Sequence, residues 1–170
     1  MKLLLSRQHS PIGEMLLVSD GEALRALDFH DYEARLHTLL RRHYGAYTLT
    51  PATDAGAVGR HLAAYFAGDL AALDEVAVRT GGTAFQREVW AALRRIPAGT
   101  TTSYGRLAAT IGRPSASRAV GMANGSNPVA IVVPCHRVIG ADASLTGYGG
   151  GLPRKAWLLA HEARHAAAAG

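Results

Sequence analysis

The sequence predicts an α+β protein, with a small N-terminal α/β domain over residues 1–80 and a mostly helical C-terminal domain over residues 81–170. Short runs that suit strands dominate the start of the chain, whereas capped segments of helical length follow a break at Gly81-Gly82. The net charge of the chain also changes sign at this break. Residues 1–80 carry 8 Lys and Arg against 10 Asp and Glu, a balance of −2, and residues 81–170 carry 10 against 3, a balance of +7.

Three strands are predicted at the start of the N-terminal domain, at Leu3–Ser6, Ile12–Val18 and Ala23–Phe29. The segment Ser19-Asp20-Gly21-Glu22 is a turn sequence, so the second and third strands should form a hairpin.

Two helices complete this domain in the prediction. The first should cover Asp31–Tyr44, capped by its first residue and terminated by Gly45. The second should run from Thr53 or Asp54 to Gly68. Two further short strands are predicted, Tyr47–Thr50 and Val76–Val78. No segment of the N-terminal domain carries a constellation of catalytic residues.

The first helices of the C-terminal domain are predicted from their caps. Thr83 and Gln86 fit a capping box, and the helix that they begin should end at Pro97-Ala98-Gly99. A second helix, Tyr104–Ile111, should be capped by Ser103.

A third helix follows closely. After the turn Gly112-Arg113-Pro114, Ser115 is predicted to cap a helix over Ala116–Asn124, which makes a helix-turn-helix pattern. One face of this helix consists of very small residues: Ala116, Ala119, Gly121, Ala123 and Gly125. Base-edge readout needs longer polar side chains, and the helix offers mainly Arg118. We therefore expect close backbone approach to a duplex with little sequence reading; tight packing between helices is the alternative.

The positive balance of residues 81–170 indicates a polyanionic partner, with nucleic acid favoured over a membrane. An arginine-rich surface without such a partner is the other interpretation. The apolar run at the N-terminus is too short for a signal peptide, and no segment is long enough to span a bilayer. A single cysteine fits a reducing cytoplasm and excludes any zinc site that needs two thiolates, so we expect no metal.

Cys135 follows an apolar run that is predicted to be a buried strand, Val129–Val133. Pro134 should end this strand because proline cannot donate to a β ladder, and Cys135 should then emerge in an exposed loop. A lone cysteine is more often a small buried packing residue than a nucleophile.

Two nearby residues favour a nucleophile. His136 is adjacent to Cys135, and Glu162 lies on a predicted final helix, Leu152–His165, that follows a glycine-rich loop over Gly140–Gly151. Adjacent residues on an extended chain point to opposite sides, so His136 should reach the thiol through one water, with Glu162 orienting the imidazole. Such a relay would supply thiolate.

Six segments carry a resemblance to a known family, in that family's order and spacing: FQREVW, SYGRLA, SRAVGMANGSNPV, IVVPCHRVIG, TGYGGG and RKAWLLAHE. Together they resemble the O6-alkylguanine-DNA alkyltransferases, the methylated-DNA–protein cysteine methyltransferases, and the bacterial constitutive form is the most similar. The match covers nearly all of residues 83–165. It implies a ribonuclease H-like N-terminal scaffold and a winged-helix-like C-terminal domain.

The resemblance also implies the reaction. Cys135 would take the alkyl group from O6 of guanine, irreversibly and once per molecule, with O4-alkylthymine left open as a second substrate. His136, through a water, and Glu162 would generate the thiolate, and Asn127 would organise the turn before the active site. No cofactor is implied. The partner would be double-stranded DNA, bound through its minor groove and phosphates by a cytoplasmic monomer, with cooperative binding left open.

Further residues are implied to bind substrate and DNA. Tyr104 would donate to guanine N3 and help to rotate the phosphate, and the carbonyls of Cys135 and Val138 would accept from the exocyclic amine. Tyr148 would wall the pocket, and Gly149, where some members have serine, would offer a backbone N–H to O6. The residues implied to contact DNA are Arg118, which would fill the vacated stack, and Gln86, Gly105 and Arg113.

Two other functions compete with this interpretation. A cysteine hydrolase using Cys135, His136 and Glu162 would turn over, but the sequence shows no evident oxyanion arrangement. A non-catalytic lesion sensor would bind the damaged base only, and Cys135 argues against that because relatives that only bind lesions have replaced it.

Overall fold

The chain folds into two units in the computed structural model, which describes residues 1–169. The first unit comprises Met1–Gly82 together with Pro128–Val132, and the second comprises Thr83–Asn127 together with the chain from Val133 onward. The predicted α+β class is confirmed, with a sheet in the first unit and mainly helices in the second. Among the described residues, no helix has the combination of length and apolar character that crossing a membrane requires.

The sheet of the first unit has the strand order β3-β2-β1-β4. Its strands are β1 (Lys2–Gln8), β2 (Met15–Ser19), β3 (Leu24–Phe29) and β4 (Thr48–Pro51). The first three pair antiparallel, and β4 pairs parallel to β1. The predicted hairpin is thus present, although its first strand begins three residues later than expected because Ser10 and Gly13 exchange backbone bonds in a turn.

Helix α1 (Glu33–Tyr44) packs on this sheet through Leu36 and Leu40, which are both 1% exposed. They share a core with residues of β1, β2 and β3: Leu3, Leu16, Val18 and Ala26. Gly45 ends α1 with φ 71°, as predicted. The predicted cap at Asp31 is wrong, because Asp31 lies in a short 3-10 turn and no side chain caps α1.

Helix α2 (Gly56–Phe66) begins two to three residues later than predicted. Asp54 does not cap it in the usual way; its carboxylate accepts the N–H of Gly56 at 2.8 Å in the turn before the helix. The predicted strand Val76–Val78 is reduced to one bridge between Val78 and Leu24.

The second unit contains α3 (Ala84–Arg94), α4 (Tyr104–Thr110), α5 (Ser117–Gly125) and α6 (Leu152–Ala169). Two predicted caps are confirmed. The Thr83–Gln86 capping box is complete, and the Ser103 hydroxyl accepts the N–H of Arg106 at 3.2 Å. The predicted Ser115 cap is wrong, since α5 begins at Ser117 with no side-chain cap.

Two short strands of the second unit were not predicted from the sequence. β5 (Thr102–Ser103) and β6 (Val138–Ile139) pair in parallel. A two-residue strand shows no periodicity, so no sequence signal was available. The pairing places the start of α4 beside the segment that follows Cys135.

The predicted strand Val129–Val133 is wrong. Only Val129 makes a β-bridge, to Leu27. Residues 130–132 form turns instead of extended backbone. Ile131 has φ 71°, and the N–H of Val132 bonds back to the carbonyl of residue 130 at 2.8 Å. This geometry is a γ-turn of the strained type, which a β-branched residue rarely adopts.

Candidate active site and nucleic-acid surface

Cys135 begins a short 3-10 turn, Cys135–Arg137, rather than an exposed loop. Pro134, at φ −82° and ψ 65°, bends the chain so that the Cys135 N–H bonds to the Val133 carbonyl at 2.8 Å. Cys135 is only 7% exposed, so the expectation of an exposed loop cysteine is wrong. Cys135 instead lines a cavity.

This cavity has a volume of about 350 Å³, near the lower end of the range for small-molecule sites. The residues that line it come from α4, α5, the 3-10 turn and the loop before α6: Tyr104, Gly121, Asn124, Gly125, Cys135, Gly147, Tyr148 and Gly149. Four residues predicted from the sequence to act on the substrate therefore surround one space, namely Cys135, Tyr104, Tyr148 and Gly149.

His136 and Glu162 meet in the interior next to Cys135. His136 Nε2 and Glu162 Oε2 are 2.7 Å apart, and the two residues are 0% and 1% exposed. Burial lowers the pKa of His136 below its ordinary 6.5, although the bond to Glu162 opposes this. Burial alone would raise the pKa of Glu162, but hydrogen bonds from His136 and Arg137 hold it well below its ordinary range. The pair is therefore neutral imidazole and carboxylate.

These ionisation states fix the imidazole tautomer. An ionised carboxylate only accepts hydrogen bonds, so His136 Nε2 carries the proton and donates it to Glu162. Nδ1 is then the unprotonated, basic nitrogen, and it is buried without a hydrogen-bond partner among the described residues. A basic nitrogen oriented by a carboxylate, one residue from a thiol, is the arrangement of a general base.

Arg137 completes this network, and no role for it was predicted from the sequence. Its Nε and Nη2 donate to the two oxygens of Glu162 at 2.8 and 3.0 Å, and its Nη1 donates to the Ile96 carbonyl at 2.7 Å. A two-point bond of this kind fixes the plane of the carboxylate. The buried guanidinium of Arg137 thus orients the Glu162 carboxylate toward His136. In the sequence, the only indication of this role was that Arg137 lies within the PCHRV motif.

Asn127 connects the end of α5 to the active-site turn. Its Nδ2 donates to the Val133 carbonyl at 2.8 Å, two residues before Cys135. Because Val133 also accepts from the Cys135 N–H, this one carbonyl is held from both sides. The position of Asn127 suits its expected role of organising this turn.

Tyr104 and Val138 lie on adjacent elements because β5 and β6 pair. The Tyr104 hydroxyl lies 2.9 Å from Thr146 Oγ1 in the loop before α6. The Val138 carbonyl accepts a 2.7 Å bond from Lys155 Nζ. Sequence reasoning missed both Thr146 and Lys155.

Arg118 lies on the exposed face of α5. It has no hydrogen bond, ion pair or ring contact with any residue in the described part of the chain. A Cβ added to Gly125 would meet no atom within 4 Å, and one added to Gly121 would make only an ordinary contact, 3.7 Å from the Tyr104 ring. Internal packing therefore does not require glycine at these two positions, and the surface beside them is open.

Met122, one turn after Arg118, is 76% exposed and departs from this small-residue pattern. It places an apolar side chain on the surface that was expected to approach DNA. Sequence reasoning missed it, because a pattern of small residues gives no signal for a single exposed methionine.

The structure gives less specific support for the other three residues expected to contact DNA, Gln86, Arg113 and Gly105. Gln86 is engaged in the capping box, where its Oε1 accepts the Thr83 N–H at 2.9 Å. Arg113 donates to Glu88 at 3.3 Å and lies over the Phe85 ring, 5.5 Å from its centroid. Gly105 is exposed, and a Cβ added there would meet no atom within 4 Å.

Residues 84–164 match the family described as 6-O-methylguanine DNA methyltransferase, DNA binding domain. Curated relatives are similar over most of their length. A methylated-DNA–protein-cysteine methyltransferase of Salmonella typhimurium is 52% identical over 165 residues, which is 95% of this chain and 96% of the relative. The protein of the same name from Mycobacterium bovis is 49% identical, over 94% of this chain and 92% of the relative.

Solved structures are also similar to this chain. The O6-methylguanine methyltransferase of Mycobacterium tuberculosis superposes with a TM-score of 0.78 at 44% identity, covering 96% of this chain and 94% of that one. The Mycobacterium tuberculosis OGT in complex with DNA superposes with a TM-score of 0.80 at 45% identity, covering 95% and 94%.

Proposed function

The chain belongs to the methylated-DNA–protein-cysteine methyltransferase family, and we propose that it repairs O6-alkylguanine in double-stranded DNA by moving the alkyl group onto Cys135. The product is a thioether on the protein and an unmodified guanine in the DNA. The observation that carries this proposal is the buried His136–Glu162–Arg137 network beside a cavity-lining thiol. A cysteine that served only for packing would need no oriented base.

The geometry supports the following sequence. The Cys135 thiol gives its proton, through one water, to the basic Nδ1 of His136, and the Glu162 carboxylate stabilises the resulting imidazolium. The thiolate attacks the alkyl carbon, the carbon–sulfur bond forms and the carbon–oxygen bond breaks. The electron pair of the broken bond goes to the guanine, where the Tyr104 hydroxyl donates to N3 and limits the developing negative charge. The proton taken from the thiol finally neutralises the negative charge left on the guanine.

Access to the lesion requires extrusion of the nucleotide, which costs a few kcal/mol. We propose that Arg118, which is exposed, fills the stack that the nucleotide leaves, and that α5 approaches the groove through the open surface at Gly121 and Gly125. Gln86, Gly105 and Arg113 are proposed to contact the phosphate backbone, with Tyr104 helping to rotate the phosphate. Affinity that rests on phosphate contacts should fall with salt.

The extruded base is proposed to bind in the 350 Å³ cavity. The carbonyls of Cys135 and Val138 would accept its exocyclic amine, Tyr148 would wall the pocket and the Gly149 N–H would meet O6. We also propose that residues 1–80 serve as a scaffold for residues 81–170, and that the protein acts in the cytoplasm, where its single thiol stays reduced and DNA is accessible.

Intact-mass spectrometry tests this function. Mixing the protein with a duplex that contains O6-methylguanine should add one methyl group to the protein, and Cys135→Ser should show no gain. Serine preserves the size of the side chain, so loss of the adduct in that variant reports the missing thiol. A wild-type protein that binds the duplex without gaining mass would instead be a lesion sensor.

A further inference from the structure

Asn124, near the end of α5, carries a buried amide to which the proposed reaction gives no role. It is 5% exposed, and it lines the same cavity as Cys135 and Tyr104. Its Oδ1 is buried without a hydrogen-bond partner, and its Nδ2 also makes no hydrogen bond within the part of the chain that the structure describes. Buried polar groups are nearly always paired in folded proteins, so an open amide in a cavity wall indicates a ligand group that completes it.

The backbone that carries Asn124 is held firmly in place. The indole of Trp90, on α3, donates to the carbonyl of Ala123 at 2.8 Å, and Ala123 itself is 3% exposed. A side chain on a fixed backbone presents its polar atoms at a defined position. Gly121 and Gly125, which line the same cavity wall, add no side chain to the space beside the amide.

The amide of Asn124 is not used to hold the fold. Asn127 is the only other asparagine in the chain, and it does have such a use, since its Nδ2 donates to the Val133 carbonyl at 2.8 Å. The Tyr104 hydroxyl likewise lies 2.9 Å from Thr146 Oγ1. Asn124 therefore brings to the cavity a donor and an acceptor that are both free to bind a ligand, and rotation about the Cβ–Cγ bond can present either one.

The proposed contacts of the extruded base leave one polar atom of its six-membered ring unmatched. O6 would meet the Gly149 N–H, and N3 would accept from Tyr104. The exocyclic amine would meet the carbonyls of Cys135 and Val138. The remaining atom is N1, which carries a proton in undamaged guanine but loses it when O6 is alkylated. An unprotonated nitrogen needs a donor, and the N–H end of the Asn124 amide supplies one.

We infer that Asn124 is a further catalytic residue, which donates a hydrogen bond from Nδ2 to the unprotonated N1 of the extruded O6-alkylguanine. This inference rests on the proposed function. When the carbon–oxygen bond breaks, the negative charge left on the guanine is shared between O6 and N1. A donor at N1 therefore stabilises the departing base from one side while the Gly149 N–H stabilises it at O6.

Single-turnover methyl transfer from duplexes that differ by one ring atom tests the inference. Asn124→Leu keeps the approximate size of the side chain and removes its hydrogen bonds, so transfer from O6-methylguanine should slow about fivefold, the factor expected for one hydrogen bond. In 1-deaza-O6-methylguanine a C–H group replaces N1, so the substitution should leave the rate on that duplex unchanged. In 7-deaza-O6-methylguanine N1 is retained, and the fivefold loss should reappear.

Two results of this comparison would overturn the inference. Equal losses on all three duplexes would show that Asn124→Leu acts without a contact to N1. A loss that disappears with the 7-deaza base would place the contact at N7 instead. Asn124→Ala is the second variant, because its smaller side chain fits wherever asparagine fits, and it should give the same ratios if Asn124→Leu does not fold.

Alkylation by iodoacetamide is the control for the thiol. Because Cys135 is the only cysteine, every adduct reports this residue, and iodoacetamide has no ring nitrogen for Asn124 to bind. The rate of this reaction in Asn124→Leu should equal that of the wild type. A decrease as large as the one seen with the O6-methylguanine duplex would show that the substitution disturbs the thiol, and it would overturn the inference.

Binding measurements separate this inference from the proposed function. Cys135→Ser has no thiol to accept the methyl group, so the affinity of that variant for each duplex can be measured whether or not the wild type transfers. Adding Asn124→Ala to it should weaken binding of the O6-methylguanine duplex about fivefold and leave binding of the 1-deaza duplex unchanged. A wild type that transfers no methyl group rejects the proposed function, whereas equal losses of affinity on the two duplexes reject the role of Asn124.

Discussion

The substitution Glu162→Gln tests the buried network through its effect on stability. Glu162 accepts from Arg137 at 2.8 and 3.0 Å and from His136 at 2.7 Å, and all three residues are at most 5% exposed. Glutamine preserves the shape of the side chain but leaves the Arg137 guanidinium without its counter-charge. Removal of one partner from a buried ion pair costs about 3–5 kcal/mol. For a chain of this size, that corresponds to a decrease of about 6–20 °C in Tm.

The assay is urea unfolding at pH 7.5, with Glu88→Gln as the matched control. Glu88 pairs with Arg113 at 3.3 Å, but the two side chains are 38% and 54% exposed, so the same substitution there should cost only about 0–1 kcal/mol. A Glu162→Gln protein that loses no more stability than Glu88→Gln would refute the claim that the network is buried and ionised.

The stability difference between wild type and Glu162→Gln should also depend on pH in a predictable direction. The pKa of Glu162 is held well below its ordinary 4.5, so its stabilisation is fully present above about pH 4.5 and is lost as the pH falls toward the folded-state value. The difference in stability between wild type and Glu162→Gln should therefore be constant from pH 8 to about pH 5 and shrink in more acidic solution. A difference that grows in acid would contradict this.

Three further substitutions test the proposed DNA chemistry. Arg118→Ala should slow repair of duplex DNA roughly tenfold or more, since extrusion of a base costs a few kcal/mol, while reaction with a free O6-alkylguanine base is unchanged; equal losses on both substrates would exclude the stack-filling role. Tyr104→Phe should slow single-turnover alkyl transfer by about 10²-fold, the lower end of what a proton donor contributes, with little change in DNA affinity, and an unaltered rate would remove Tyr104 from the chemistry. Met122→Ala should weaken duplex binding about fivefold, equivalent to about 1 kcal/mol of apolar contact, without changing the slope of log Kd against log salt; a changed slope would show that the loss is electrostatic.

The sequence was most informative where local chemistry determines structure. The Thr83–Gln86 box, the Ser103 cap and the Gly45 terminus each satisfy backbone groups within a few residues, and all three are present. It failed at Val129–Val133, because an apolar run indicates burial without specifying the backbone. The strained turn at Ile131 was outside what such a pattern can predict.

Some residues of the candidate site could likewise be predicted from local sequence, whereas others could not. Cys135, His136, Glu162 and Tyr104 could be identified because a motif carries them. Lys155 could not be assigned a role, because its importance depends on contacts with Val138 and Thr146, which lie 17 and 9 residues away. The pairing of β5 with β6, which brings Tyr104 beside the active-site turn, is likewise a tertiary feature with no local signal.

A stoichiometric titration distinguishes single-use alkyl transfer to Cys135 from catalytic turnover. Increasing amounts of duplex whose O6-methylguanine carries a ¹³C-labelled methyl group are mixed with a fixed amount of protein, and the label on Cys135 is counted by peptide mass spectrometry. We expect a plateau at one methyl group per protein molecule, all of it on Cys135, with an equal amount of unmodified guanine in the DNA. Continued loss of the lesion beyond one equivalent, or a lesion consumed with no label on Cys135, would contradict it.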